Sequence, residues 1–99
     1  MPRKSDRVEF LRETTLESLS GNRDVRISDL SAGGCYVDTI STLIEGTAVS
    51  LEIQSSTGDP VRFTGRVAYE APGMGVGIEF TDMTSAQKQF LAQILDPSK

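Results

Sequence analysis

The sequence contains no histidine and a single cysteine, and aromatic residues make up only 6% of it. Without histidine the commonest general base is missing, and with it most Ser- or Cys-centred catalytic triads. Cys35 has no partner for an internal disulfide and sits in an alternating strand pattern, where a buried or half-buried structural thiol is expected. No apolar run approaches the roughly 18–20 residues of a membrane span. Met1-Pro2-Arg3-Lys4 is followed by more charge rather than by an apolar leader. The scarcity of aromatics also weighs against a nucleic-acid surface, which interleaves stacking rings with basic groups. Carboxylates such as Glu45, Glu52 and Glu79 are scattered over strand faces, without the clustering that metal ligation needs. These absences predict a cytoplasmic binding domain rather than an enzyme. They predict no catalytic residue, metal or cofactor, no DNA or RNA partner and no membrane insertion.

What is present is one domain's worth of regular pattern: 99 residues support a single modest core. The formal net charge is −4, unevenly spread. Residues 1–12 carry Arg3, Lys4, Arg7 and Arg12 against Asp6 and Glu9, a net +2 that leaves −6 on residues 13–99. Such a body repels polyanions, whereas a small phosphate ligand can be gripped by the basic arm alone.

Residues 1–7 lack an apolar pattern and read as a flexible basic arm. The barrel region spans 8–80. Residues 8–19 form a long first strand whose alternation slips near Arg12-Glu13, predicting a bulge. Ser20-Gly21-Asn22 is a turn cluster. Val25, Ile27 and Asp29 then alternate with Arg26 and Ser28 as a second strand. Residues 35–38 make a third strand, and 39–46 a loop or one helical turn. Val49, Leu51 and Ile53 share a face of the fourth strand, ended by the turn Thr57-Gly58-Asp59-Pro60. The fifth strand places Val61, Phe63, Gly65, Val67 and Tyr69 inward, with Arg62, Thr64 and Arg66 opposite; Val76, Ile78 and Phe80 mark the sixth. Thereafter the period changes. Thr84 and Gln87 match a capping box, and Phe90, Leu91, Ile94 and Leu95 form an apolar stripe on a helix over 84–95, stopped by Pro97. The fold class is therefore all-β with a terminal helix: a six-stranded antiparallel barrel capped by that helix. The stripe is expected to cover the barrel; a weak homodimer through it is the alternative to a monomer.

Two short motifs carry binding chemistry. Arg3 and Arg7 are four residues apart on the arm, and Asp29-Leu30-Ser31-Ala32-Gly33-Gly34 closes the second strand. Guanine shows two acceptors, O6 and N7, that suit a guanidinium fork, and an opposite edge of N–H donors that suits a carboxylate. Phosphate oxygens match the same fork. Ser31 adds a hydroxyl, Gly34 lets a ligand approach the main chain, and Arg66 is a third candidate cation. Each motif alone is common, and Arg62 and Arg66 form a second arginine pair of the same spacing. The two together, in order, point to a nucleotide.

With those residues in place the chain resembles the PilZ domain family. That family's signature is R-x-x-x-R followed some twenty residues later by [DN]-x-S-x-x-G. Here Arg3 and Arg7 match the first element, and Asp29, Ser31 and Gly34 the second. Gly75-Val76-Gly77-Ile78-Glu79-Phe80 resembles the family's last strand. The resemblance implies a receptor for the bacterial second messenger cyclic di-GMP. It implies that Arg3 and Arg7 wrap the ligand, Asp29 and Ser31 hold a guanine, and Gly34 keeps the loop open. It further implies arm ordering on binding and an unidentified downstream protein. A protein-binding PilZ module that ignores nucleotides is the alternative.

Overall fold

Period-2 alternation becomes six strands in the computed structural model, which describes residues 7–54 and 58–96. They are β1 (Val8–Ser18), β2 (Gly21–Leu30), β3 (Gly34–Asp38), β4 (Ala48–Ile53), β5 (Val61–Ala71) and β6 (Gly75–Thr81). The helix α1 (Ser85–Leu95) follows. Neighbouring strands are antiparallel, and the order β1-β2-β3-β6-β5-β4 closes into a barrel. Arg3 and the rest of the arm before Arg7 lie outside the described residues, as does the Pro97 stop. No described helix is long and apolar enough to cross a membrane.

The inward faces fill the barrel. Ile27, Val37, Leu51, Ile53, Phe63, Val67 and Val76 are fully buried. Burying side chains of this size contributes about 1.5–3 kcal/mol each. Phe63 is the central contact, with its ring centroid 4.7 Å from that of Phe80 and 6.0 Å from that of Phe90 on the helix. The helical stripe covers the barrel: Leu91 is buried, and the partly buried Phe90 and Ile94 pack on the core. Gln87 Nε2 also donates to the Arg62 carbonyl at 2.7 Å, fixing the first turn of α1 to the start of β5.

Closure is uneven. β1 and β4 pair at Glu17↔Ser50 and Ser18↔Val49. Further along, side chains bridge the seam: Thr14 Oγ1 donates to the Glu52 carbonyl at 2.7 Å, and Arg12 Nε to the Gln54 carbonyl at 3.2 Å. Arg62 spans the same seam from β5 to Glu17, whose carboxyl it holds below the usual range.

Three irregularities depart from simple alternation. The β1 bulge lies between Glu9 and Arg12, slightly earlier than the slip at Arg12-Glu13 suggested, and leaves Phe10 buried with Leu11 half-exposed. A second, at Ser28, lets Ile27 pair with Val37 and Asp29 with Tyr36. Ile27 and Leu30 both face inward as a result, and Asp29 is turned away from the core face that it would share with Val25 and Ile27. The third, at Ala68, pairs Val67 with Ile78 and Tyr69 with Gly77. Tyr69 consequently lies outside the barrel, 45% exposed, and not on the inner face expected from alternation. β2 also begins at Gly21 rather than near Val25, because its polar first residues continue the hairpin ladder to Ser18↔Gly21. Residues 39–47 form an irregular loop with no helical turn.

The capping box is formed as its spacing predicts. Thr84 Oγ1 accepts from the Gln87 backbone N–H at 3.1 Å, and Gln87 Oε1 accepts from the Thr84 N–H at 2.7 Å. Thr84→Ala removes one of these bonds and should cost about 1 kcal/mol. For a domain of this size that lowers the melting temperature by roughly 4–8 °C, measurable by thermal circular dichroism.

Candidate functional site

Pairing between β1 and β2 sets the geometry. Val8 lies opposite Leu30 and Glu9 opposite Asp29, so Arg7 continues the outer face diagonal to Asp29. Arg7 Nη2 donates to Asp29 Oδ1 at 2.8 Å, joining the two motifs across 22 residues. Both side chains remain accessible, at 47% and 33%. An ion pair so exposed contributes about 0–1 kcal/mol, too little to hold the fold. A ligand offering better partners can displace it at small cost. Hydrogen bonds to Asp29 and then to the Tyr69 hydroxyl raise the Arg7 guanidinium above its ordinary value, keeping it charged.

The turn between β2 and β3 is closed on itself. The Ser31 N–H donates to the Gly34 carbonyl at 2.8 Å, and Ser31 Oγ donates to the same oxygen at 3.2 Å. The Phe80 N–H donates to the Gly33 carbonyl at 2.8 Å, binding the turn to the end of β6. Gly34 itself has a reason different from loop openness. A Cβ there would run into the Ile78 carbonyl across the β3–β6 ladder, whereas one on Gly33 would meet open space. Gly33 is therefore the residue that leaves the turn bare.

Tyr69 is the site residue that alternation misplaces. Its ring lies directly on Gly77, where a Cβ would overlap it, and 6.2 Å from the ring of Tyr36. Beside it, Arg7, Ser31, Gly33, Gly34 and Glu79 line a concavity of about 160 Å³. The sequence signal for this placement is the apolar doublet Val67-Ala68, which breaks the alternation just before Tyr69. Arg66 is drawn to the margin: its Nε donates to Glu79 Oε1 at 3.0 Å, and it is Glu79 that lines the concavity. Cys35 lies beneath, and burial pushes its thiol up to about 12, so it supplies no thiolate nucleophile at neutral pH.

Two other concavities are larger but predominantly acidic. One of about 320 Å³ is lined by Glu13, Glu17 and Glu52, and one of about 510 Å³ by Glu13, Asp24 and Asp38. Both repel an anion, whereas the smaller concavity presents Arg7. No group of three or more potential metal ligands occurs among the described residues.

Comparison with known proteins gives the same fold. A family model described as the PilZ domain matches residues 2–96. The crystal structure of the PilZ domain of CeSA from a cellulose-synthesizing bacterium superposes with a TM-score of 0.70 at 19% identity, covering 93% of this chain and 96% of that one. The Borreliella burgdorferi PlzA protein in complex with c-di-GMP superposes with a TM-score of 0.71 at 13% identity. That match covers 96% of this chain but 41% of PlzA. No curated protein matches the chain.

The contact beneath Gly34 makes a prediction. Gly34→Ala forces β3 and β6 apart and should destabilise the barrel by about 1–3 kcal/mol, seen as an earlier urea midpoint. Gly33→Ala should leave that midpoint within about 0.5 kcal/mol of the parent.

Proposed function

Because the chain belongs to the PilZ domain family, we propose that it is a cyclic di-GMP receptor domain whose ligand lies over the Arg7–Asp29 pair. The observation that carries this reading is the pair itself: two motifs distant in sequence meet on one outer face, weakly enough bound to exchange partners. In this reading Asp29 accepts from the N–H edge of a guanine, and Arg7 turns to guanine O6 and N7 or to a phosphate. Ser31 and the bare main chain at Gly33 complete the edge, and the Tyr69 ring offers an apolar wall beside Arg7. The family complex with c-di-GMP supports the ligand class.

The concavity of about 160 Å³ is smaller than the ~300–1,000 Å³ of a pocket that encloses a whole ligand. It takes one base and leaves the remainder of a dinucleotide uncovered. The arm containing Arg3 supplies the missing cover in this reading. Ordering the arm residues that precede Arg7, which is itself already paired with Asp29, opposes binding by about 1–2 kcal/mol each for the backbone, so affinity is moderate and the result of binding is a new surface rather than a reaction.

Isothermal titration calorimetry with cyclic di-GMP tests this. We expect saturable heat with the parent chain and at least a tenfold loss for Arg7→Ala and for Asp29→Ala. No heat at tens of micromolar protein, or undiminished binding by Arg7→Ala, would overturn the reading in favour of a nucleotide-independent interaction module.

A further inference from the structure

The antiparallel order gives the barrel two unlike ends. Val8, Leu30, Gly34 and Thr81 lie toward the end that carries the ligand site and the helix. The opposite end is made of the β1–β2 turn, the 39–47 loop and the β5–β6 turn, and among the described residues no helix covers it. Most of the large exposed apolar side chains are there: Leu19 at 105%, Ile40 at 88%, Ile44 at 75% and Met74 at 68% exposure. The Thr39 N–H donates to the Met74 carbonyl at 3.1 Å, which binds the loop to the β5–β6 turn and sets Ile40 beside it. Between the β1–β2 turn and the loop runs a groove of about 320 Å³, with Leu19, Leu43, Ile44 and Ala48 in its walls. The Gly46 N–H donates to the Val67 carbonyl at 2.7 Å, and the Val67 N–H to the Thr47 carbonyl at 2.9 Å, so the loop that forms one wall is fastened to β5. A contiguous exposed apolar patch marks an interaction site, and the groove joins Leu19, Leu43, Ile44 and Ala48 in one.

The charges around this end select the occupant. Glu17 is engaged by Arg62 and Asp38 by Arg26. Asp24, Glu45 and Glu70 remain against Arg23, and none of these four is in an ion pair among the described residues. A second copy of this chain would bring like charges together, and an anionic membrane would be repelled in the same way. We propose that this end of the barrel docks an apolar peptide segment flanked by basic residues. The inference goes beyond the nucleotide reading and does not depend on it.

The probe is a fluorescent 14-residue amphipathic peptide with leucine on one helical face and lysine on the other, followed by anisotropy against the full chain. Saturable binding is expected, with at least a tenfold loss for Leu19→Asp/Ile44→Asp, a smaller loss for Glu45→Lys, and no binding when glutamate replaces lysine in the peptide. Leu19 and Ile44 are exposed, and a thermal melt checks the fold; should that variant fail to fold, Ile40→Asp gives the same readout. No saturable binding, equal binding by the parent and the apolar variants, or preference for the glutamate peptide overturns the proposal. So does either of two other uses of the same end that the variants abolish: co-sedimentation with phosphatidylcholine–phosphatidylglycerol vesicles, or concentration-dependent dimerisation in sedimentation velocity.

Discussion

The face that carries Arg7 and Asp29 depends on how closely other groups approach β6. On one side Gly34 of β3 lies against the Ile78 carbonyl, and on the other Gly65 of β5 lies against that of Glu79, with no room for a side chain at either. Such spacing is how a small barrel closes, and it also fixes the Ser31–Gly34 turn to the end of β6. On the outside, Gly77 leaves β6 bare, and the Tyr69 ring occupies that space next to Arg7. A packing requirement of the barrel and the shape of the site are thus one constraint.

The strength of the interactions follows the division between scaffold and site. Apolar burial around Phe63 and the helix lid is worth kilocalories per residue, whereas the Arg7–Asp29 pair is exposed and contributes about 1 kcal/mol or less. The scaffold keeps its geometry when the site exchanges partners. The proposed receptor role would use that asymmetry, since a ligand would compete only with the weak pair and not with the core. The two ends of the barrel then hold unlike chemistry: charged and hydrogen-bonding around Asp29, apolar around Leu19 and Ile44.

Much of this was legible in the sequence. Val49, Leu51 and Ile53 announced β4, Val76, Ile78 and Phe80 announced β6, and Thr84 with Gln87 announced the start of the helix, because local period and capping chemistry decide those elements. The two motifs read as halves of one site joined through a ligand; Arg7, placed on the flexible arm in that reading, instead pairs directly with Asp29. What alternation could not supply was the facing of Asp29 and Tyr69. Each follows a bulge, at Ser28 and at Ala68, and a single extra residue moves every following side chain to the other face. Bulges are decided by pairing with a distant strand. Gly34 was named for openness to a ligand, whereas what the structure shows is a packing role against the Ile78 carbonyl, on β6 more than forty residues away.

The central claim is that one face, organised on β6 and spanned by Arg7 and Asp29, receives the nucleotide while the opposite end stays free. Amide chemical-shift mapping during a cyclic di-GMP titration tests this most directly. The account predicts saturating shifts at Arg7, at 29–34, at Tyr69 and at Glu79, with Leu19, Ile40 and Ile44 unmoved. Shifts confined to the Leu19–Ile44 end, or none at the Asp29–Gly34 segment, would contradict it.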